Sequence, residues 1–308
     1  MSVAAARMYP VSVSSASRRL VDYAILFKAR QTALFMMTAW AGYCLGSNQI
    51  QLPTYSWGLL YALLGIGAVL GGASALNQVI EREADARMLR TKQRPLPAHR
   101  MGVGEAITIG TACIIGGATL LSFTTNILTG LLSLLGVAVY MVYTPEKEDT
   151  PFCTAVGAVA GAMPPILGWT AARGRLGVEA LGLGAILFLW QLPHFHSIEW
   201  LHRDEYKCAG MRMLAVVEGG GRWTGRIVLA CSLVLIPVSL LPAYVGIVSR
   251  SYAVATLILG LGFLLFSIRF AWALWSASGK SDKFARDLLR ASVVYLPLLF
   301  GLMMINAS

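Results

Sequence analysis

Three oxygen-bearing side chains recur at four-residue intervals near the end of an apolar stretch. They are Asn77, Glu81 and Asp85. On a helix, residues four apart project from the same face, so these side chains would lie one above another. Carboxylate and amide oxygens are ligands of a hard cation such as Mg²⁺, and charge at membrane depth is costly enough to indicate a function. The alternative is a solvated helix end that happens to be acidic.

A basic segment follows these acids directly. Arg90, Lys92 and Arg94 fall within five residues, just before Pro95. Alone, such cations are typical of any polar loop at a membrane face. Beside a magnesium site they indicate a diphosphate clamp, in which the metal and the cations share the phosphate charge.

A second polar segment follows the apolar stretch that ends near residue 197. Its acids Asp204 and Glu205 are flanked by Arg203 and Lys207. Two segments that pair acids with cations on one face of a bundle favour a single site lined from both halves.

Two histidines precede the second polar segment. His194 and His196 flank one phenylalanine behind Pro193, and the chain has four histidines in all. This clustering favours a contact with a metal or a porphyrin. Packing at a helix end is the alternative interpretation.

The elements that must position these residues are membrane-spanning helices. Of the 308 residues, 56% are hydrophobic and 13% are charged, the latter about half the share of a typical soluble domain. The five cysteines show no Cys-x-x-Cys spacing and are expected to be packing residues. This composition excludes a disordered protein, a disulfide scaffold and a secreted globule. Nine stretches are apolar and long enough to cross a bilayer core about 30 Å thick: 30–47, 56–79, 105–124, 126–144, 152–171, 177–197, 225–247, 252–275 and 286–306.

Alternation of these nine spans separates the positive charges. Twenty-one lysines and arginines fall on the side of the N-terminus and three on the other, with Arg269 inside a span. This asymmetry predicts a cytoplasmic N-terminus and a C-terminus on the opposite side. The net charge of +10 then indicates anionic lipid and anionic substrates as partners, and no nucleic acid.

We expect one transmembrane domain over 1–308, with a flexible tail at 1–22. The first 21 residues contain no acid. They fit the short cytoplasmic tail of a protein of the bacterial inner membrane, and a mitochondrial transit peptide is the alternative. In the fifth span, Gly157 and Gly161 favour close helix packing. Pro164 and Pro165 predict a helix break that borders an internal pocket.

Six motifs extend this pattern along nearly the whole chain: Asn77-Gln78 with Arg90 to Leu96, Tyr143-Thr144-Pro145, Gly157 to Thr170, Trp190-Gln191-Leu192-Pro193-His194-Phe195, Asp204 to Met213, and Tyr295 to Leu299. Together they make the chain resemble the intramembrane UbiA-type prenyltransferases, and within them the branch that acts on haem. The run from Trp190 to Phe195 is the motif most specific to that branch.

This resemblance implies an all-α bundle of nine helices around a central cavity. It implies transfer of the farnesyl group of farnesyl diphosphate to a vinyl group of haem b, with water, to give haem O and diphosphate. The implied cofactor is Mg²⁺, held by Asn77, Glu81, Asp85, Asp204 and Glu205, and the implied diphosphate ligands are Arg90, Lys92, Arg94, Arg203 and Lys207. The implied haem and prenyl pocket contains His194, His196, Tyr143, Trp169, Trp190 and Tyr206. A haem A synthase is left open as a partner.

The sequence departs from the family pattern at three places. Glu81 and Glu205 stand where many members have Asp, and both keep the carboxylate. The third place is the acidic segment 146–149, which is basic in many members, so only Lys147 in it is a secondary candidate for phosphate. Two other functions remain open at this point: a prenyltransferase that acts on a quinone or chlorophyll precursor, and a transporter of haem or ions.

Overall fold

The computed structural model describes residues 15–49, 56–277 and 279–307. Within these ranges the regular secondary structure consists of helices. The one β-type contact is an isolated bridge between Val248 and Ala307. The helices are α1 Ser15–Leu26, α2 Ala29–Asn48, α3 Trp57–Ile80, α4 Arg82–Arg87, α5 Val103–Thr124, α6 Ile127–Asp149, α7 Cys153–Gly161, α8 Met163–Arg173, α9 Val178–Leu201, α10 Arg203–Cys208, α11 Leu214–Val217, α12 Arg222–Tyr244, α13 Arg250–Trp275 and α14 Ser281–Ile305.

The all-α, polytopic architecture predicted from the sequence is confirmed. Within the described ranges, eight segments are long and apolar enough to cross a membrane, with α7 and α8 together forming one of them. The remaining expected span, the first in the chain, corresponds to α2. This helix has 20 residues and is therefore long enough to cross a membrane. It is not among the eight because Arg30, Gln31 and Asn48 make its ends polar.

Helix α1 occupies part of the segment that was expected to be a flexible tail. Residues 15–22 of the expected tail 1–22 are helical, and 1–14 lie outside the described residues. Ion pairs hold α1 against the chain that leads into α5: Arg19 with Glu105 at 2.6 Å and Asp22 with Arg100 at 2.8 Å. Lys28 then adopts a left-handed conformation with φ 46°, which separates α1 from α2.

The link between α5 and α6 is as short as the sequence predicts. Helix α5 ends at Thr124 and α6 begins at Ile127. The side-chain oxygen of Asn126 accepts a hydrogen bond from the Thr129 N–H at 3.0 Å, which caps the first turn of α6. The Asn126 amide nitrogen donates to the Thr170 carbonyl at 2.8 Å and so fixes this hairpin to α8.

The fifth span is interrupted where the double proline predicts a break. Helix α7 ends at Gly161 and α8 begins at Met163, with Pro164 and Pro165 in its first turn, where a proline costs no helix hydrogen bond. Beyond the break, α8 lies against α2 with the backbones close together. A Cβ added at Gly168 would collide with the carbonyl of Ala39, and one at Gly42 with the carbonyl of Pro165.

We expect Gly168→Ala to destabilise the protein by about 1–3 kcal/mol, because a methyl group there would force the two backbones apart. Gly182→Ala is the control, since a Cβ at that helical position meets no atom within 4 Å and alanine favours a helix over glycine by about 1 kcal/mol. Unfolding of the purified variants in detergent measures both effects. Equal stability of Gly168→Ala and the wild type would contradict the close packing of α2 and α8.

Candidate active site

A cavity of about 370 Å³ lies in the middle of the bundle, between α2, α3, α6, α7, α9 and α14. Charged side chains line the end where α3 leads into α4, among them Glu81, Asp85 and Arg94. Mostly apolar side chains, such as Val137 and Leu296, line the rest. The cavity therefore has one charged end and an apolar interior, which suits a molecule with an anionic head and a hydrocarbon tail.

The three oxygen-bearing residues of the first motif form one column. Asn77 lies in the last turn of α3, Glu81 lies at the junction with α4, and Asp85 lies in α4. The helical hydrogen bonds continue through the junction, because Glu81 N–H donates to the Asn77 carbonyl at 3.0 Å and Asp85 N–H to the Glu81 carbonyl at 2.8 Å. All three side chains are buried. The spacing thus places them on one face, as predicted.

Each member of this column contacts a cation of the chain. Lys28 Nζ donates to Asn77 Oδ1 at 2.6 Å, Lys147 Nζ donates to Glu81 Oε1, and Arg94 Nη1 donates to Asp85 Oδ2 at 2.6 Å. Two buried carboxylates at a membrane face would be unstable without such partners. Arg94 and Lys147 therefore neutralise the two carboxylates, and the Asn77 amide oxygen accepts a hydrogen bond from a third cation, Lys28.

The electrostatics keep Glu81 ionised. Burial alone would raise the pKa of its carboxyl group, but the positive charges of Lys147 and Lys28 outweigh burial and lower the pKa below its ordinary value. Glu81 is consequently a carboxylate at neutral pH and can serve as an oxygen ligand.

Aromatic rings border the charged end. Tyr140 and Tyr143 stack with ring centroids 5.8 Å apart, and Lys147 Nζ lies 4.4 Å from the centroid of the Tyr143 ring. Tyr206 also lines the cavity, and its hydroxyl lies 3.5 Å from Arg90 Nη2. Burial raises the pKa of Tyr206, so its hydroxyl group is neutral. These rings place π faces close to the cations and to the substrate space.

The second acidic segment contributes less to the cavity than the sequence predicts. Glu205 does not line the cavity, but its Oε2 accepts a hydrogen bond at 3.2 Å from the N–H of Arg90, which does. Asp204 and Lys207 are exposed on α10. Arg203 turns to α14 instead and pairs with Asp282 at 3.0 Å.

The expected five-residue magnesium set is therefore not assembled. Within the described ranges, no three residues among the histidines, cysteines and acids converge on a point where a metal ion would fit. Lys92, expected to bind diphosphate, is also exposed and does not line the cavity. The acids of the first motif remain as the metal-binding candidates, because Asp204 lies on the solvent face of a short surface helix.

Two residues of the most specific motif form the wall of the cavity on α9. Trp190 and His194 lie one helical turn apart, and their rings stack with centroids 4.9 Å apart. Both line the cavity. Trp190 Nε1 donates to the Ser292 carbonyl at 2.9 Å, and His194 Nδ1 lies 2.7 Å from Ser292 Oγ. This part of the predicted pocket is brought together as expected.

His196 and Trp169, also predicted for the pocket, lie elsewhere. His196 Nδ1 contacts Glu199 Oε2 at 2.9 Å behind the cavity wall, because two residues along a helix turn a side chain by about 200°. Trp169 likewise lies two residues after Leu167 on α8. Leu167 lines the cavity, so the side chain of Trp169 points away from it. It is wholly buried in the apolar core.

Three residues that line the cavity were not predicted as site residues. Lys28 lies between the expected tail 1–22 and the first expected span, and Tyr140 lies within the expected span 126–144. The third residue is Glu199, whose buried carboxylate contacts His196 and Thr154. Lys147, only a secondary candidate, lies at the centre of the charged end. Lys147 follows the predicted pocket residue Tyr143 by four residues on α6, so the two side chains share a helix face. This spacing is the sequence signal that could have placed Lys147 in the cavity.

Comparison with known proteins settles the family. Residues 35–289 match the model of the UbiA prenyltransferase family. The chain belongs to this family. The resemblance found in the sequence motifs is thereby confirmed.

Individual members of the family resemble the chain over most of its length. A protein of Koribacter versatilis named protoheme IX farnesyltransferase is 51% identical over 291 residues, which are 94% of each chain. Among solved structures, digeranylgeranylglyceryl phosphate synthase has a TM-score of 0.74 at 16% identity, over 94% of this chain and 98% of the other. A UbiA homologue from Archaeoglobus fulgidus, bound to GPP and Mg²⁺, has a TM-score of 0.62 at 15% identity, over 92% and 99%. These structures share the fold.

Proposed function

We propose that the protein transfers the farnesyl group of farnesyl diphosphate to a vinyl group of haem b, with water as co-reactant, giving haem O and diphosphate. The observation that carries this proposal is the division of one cavity into a charged end and an apolar interior walled by Trp190 and His194. The name of the 51% identical relative supports haem as the acceptor. A haem or ion transporter would need polar groups along a whole path, whereas the charges line one end.

The charged end binds the diphosphate. Lys28, Lys147 and Arg94 contact Asn77, Glu81 and Asp85 in the protein. These hard oxygen donors fit Mg²⁺ by their chemistry, and the family includes a homologue solved with the ion. The chemistry that the ion supplies when bound is neutralisation of charge on the leaving diphosphate.

Binding of the anionic head redistributes the ion pairs of this end. Glu81 and Asp85 would hold the metal ion with their carboxylates, and their partner cations would then be available to phosphate oxygens. Arg94 then offers two parallel N–H groups, and Lys147 offers a point charge. The same cations stabilise the diphosphate as the bond between farnesyl carbon and phosphate oxygen breaks.

The apolar interior protects the allylic cation that this cleavage produces. Aliphatic and aromatic side chains surround the farnesyl chain and keep bulk water away until the vinyl group attacks. The ring of Tyr143 borders the cavity close to the charged end and stabilises the cation through its π face. His194 and Trp190 contact the haem at the other wall. Water supplies the new hydroxyl group and releases one proton.

Chelation of divalent cations should stop farnesyl transfer by the purified enzyme, and Mg²⁺ should restore it. Asn77→Ala should also abolish turnover, because it removes an oxygen donor at the base of the acidic column. The control is Asn306→Ala, which changes an asparagine at the opposite end of the bundle. Product analysis by mass spectrometry measures all three. Full turnover in excess chelator would contradict a role for the metal.

Substitutions at the charged end and in the α9 wall of the cavity should affect the binding of the two substrates differently. We expect His194→Ala to weaken the binding of haem b and leave the affinity for farnesyl diphosphate nearly unchanged. Arg94→Ala should do the reverse, and Arg94→Lys should be intermediate because it keeps the charge without the paired N–H groups. Titrations with each ligand alone measure the effects. A parallel loss of both affinities in His194→Ala would indicate a structural role for this histidine.

The enzyme is a polytopic membrane protein, and we propose that it lies in the bacterial inner membrane with its N-terminus in the cytoplasm. The excess of lysine and arginine on the side of the charged end supports this orientation. A haem A synthase that consumes haem O is the partner enzyme that this activity implies.

Cysteine labelling tests the orientation. Cys208 is exposed on α10 at the charged end, and Arg175 is exposed in the loop at the opposite end. A membrane-impermeant maleimide should label Cys208 in inverted vesicles and not in intact cells. In a Cys208→Ser background, Arg175→Cys should be labelled in intact cells. The opposite pattern would reverse the topology.

A further inference from the structure

Ser292 on α14 holds two residues of the opposite cavity wall. It is wholly buried and does not itself line the cavity. Its carbonyl oxygen accepts a hydrogen bond from Trp190 Nε1 at 2.9 Å, and its hydroxyl oxygen lies 2.7 Å from His194 Nδ1. One residue therefore fixes both aromatic side chains of α9 from behind.

The hydroxyl group of Ser292 donates its proton in one defined direction. Its oxygen lies 2.7 Å from the carbonyl oxygen of Leu289, three residues earlier on α14. A carbonyl group only accepts hydrogen bonds, so the single hydroxyl proton of Ser292 is donated to Leu289. The contact with His194 must then run the other way, with Nδ1–H donating and Ser292 Oγ accepting.

This assignment decides which nitrogen of His194 is free. A neutral imidazole has one N–H group, and here Nδ1 bears it. Nε2 consequently keeps its lone pair. Within the described ranges, Nε2 has no hydrogen-bond partner from the protein, and the ring of His194 borders the cavity. The stack on Trp190 and the edge contact with Phe195, at 5.5 Å between centroids, fix the plane of the ring.

An imidazole whose Nδ1–H is hydrogen-bonded and whose Nε2 lone pair is free can bind iron. Histidine that binds a metal through one nitrogen commonly donates the N–H of the other to a hydrogen-bond acceptor, which orients the ring. Iron in haem is frequently bound by such a nitrogen. The acceptor in this protein is the serine hydroxyl group.

We propose that Ser292 is a positioning residue for the acceptor substrate. It fixes the tautomer and the ring plane of His194 so that Nε2 binds the iron of haem b and holds the macrocycle in one orientation. The inference rests on the proposed function, in which haem b is the acceptor. It adds a specific role for a residue on α14 that touches neither substrate.

Removal of the hydroxyl group has a direct consequence. In Ser292→Ala, Nδ1–H loses its acceptor, and the proton is free to move to Nε2, where it blocks the lone pair that binds iron. Ser292→Thr should restore the arrangement, because a threonine hydroxyl in a helix also bonds a carbonyl one turn earlier. Ser292→Cys replaces the hydroxyl group with a somewhat larger thiol that provides only a weak acceptor.

The test is a titration of the purified full-length protein with ferric haem b, followed by its absorption spectrum. We expect the wild type and Ser292→Thr to give the spectrum of histidine-ligated haem. Ser292→Ala and Ser292→Cys should lose that spectrum, bind haem about tenfold more weakly, and keep the wild-type affinity for farnesyl diphosphate. The control is Ser267→Ala, because Ser267 is also buried and also donates to a carbonyl within its own helix.

The outcomes distinguish the contact between His194 and haem from the role of Ser292. If His194→Ala leaves the haem spectrum unchanged, the proposed contact between His194 and haem is wrong. If His194→Ala abolishes the spectrum and Ser292→Ala retains it with full affinity, the role of Ser292 is overturned and the proposed function stands. A fall in stability of Ser292→Ala beyond that of Ser267→Ala, with an unchanged spectrum, would make Ser292 a packing residue and also overturn the inference.

Discussion

Buried charge at the membrane face has to be paired, and this requirement shapes the charged end of the cavity. Glu81 and Asp85 are withdrawn from water, so each needs a cation within reach. Lys147 from α6 and Arg94 from the loop after α4 supply them. The amide of Asn77 completes the row through Lys28. Three separate parts of the chain are thereby drawn to one point, and we propose that the same pairs hold the charges ready for a diphosphate.

The helices and the acidic column follow from local properties of the sequence. Apolar length predicts the spans, and a four-residue spacing predicts that Asn77, Glu81 and Asp85 share a face. Both depend only on neighbours along the chain. The double proline also predicts the break before Met163 for a local reason, since the ring fixes the backbone angle and removes a hydrogen-bond donor.

Contacts between distant segments were less predictable. Lys28 reaches Asn77 because a left-handed residue turns the chain between α1 and α2, and no spacing in the sequence encodes that turn. Arg203 seemed equivalent to Arg94, yet it pairs with Asp282 on α14. Trp169 seemed to be a pocket residue, although its helical face turns it into the core. For Lys28 and Arg203 the deciding partner lies far away in sequence, so composition and spacing carry no information about it.

The close approach of α2 and α8 bears on how the protein enters the bilayer during synthesis. Helix α2 is the most polar of the long helices, and its second half, from Thr38 to Ser47, is almost entirely buried within the protein. Gly42 and Gly168 bring its backbone against α8, which emerges from the ribosome more than a hundred residues later. The first span thus gains its permanent surroundings only when the fifth arrives. In the folded protein the second half of α2 is therefore surrounded by other helices rather than by lipid.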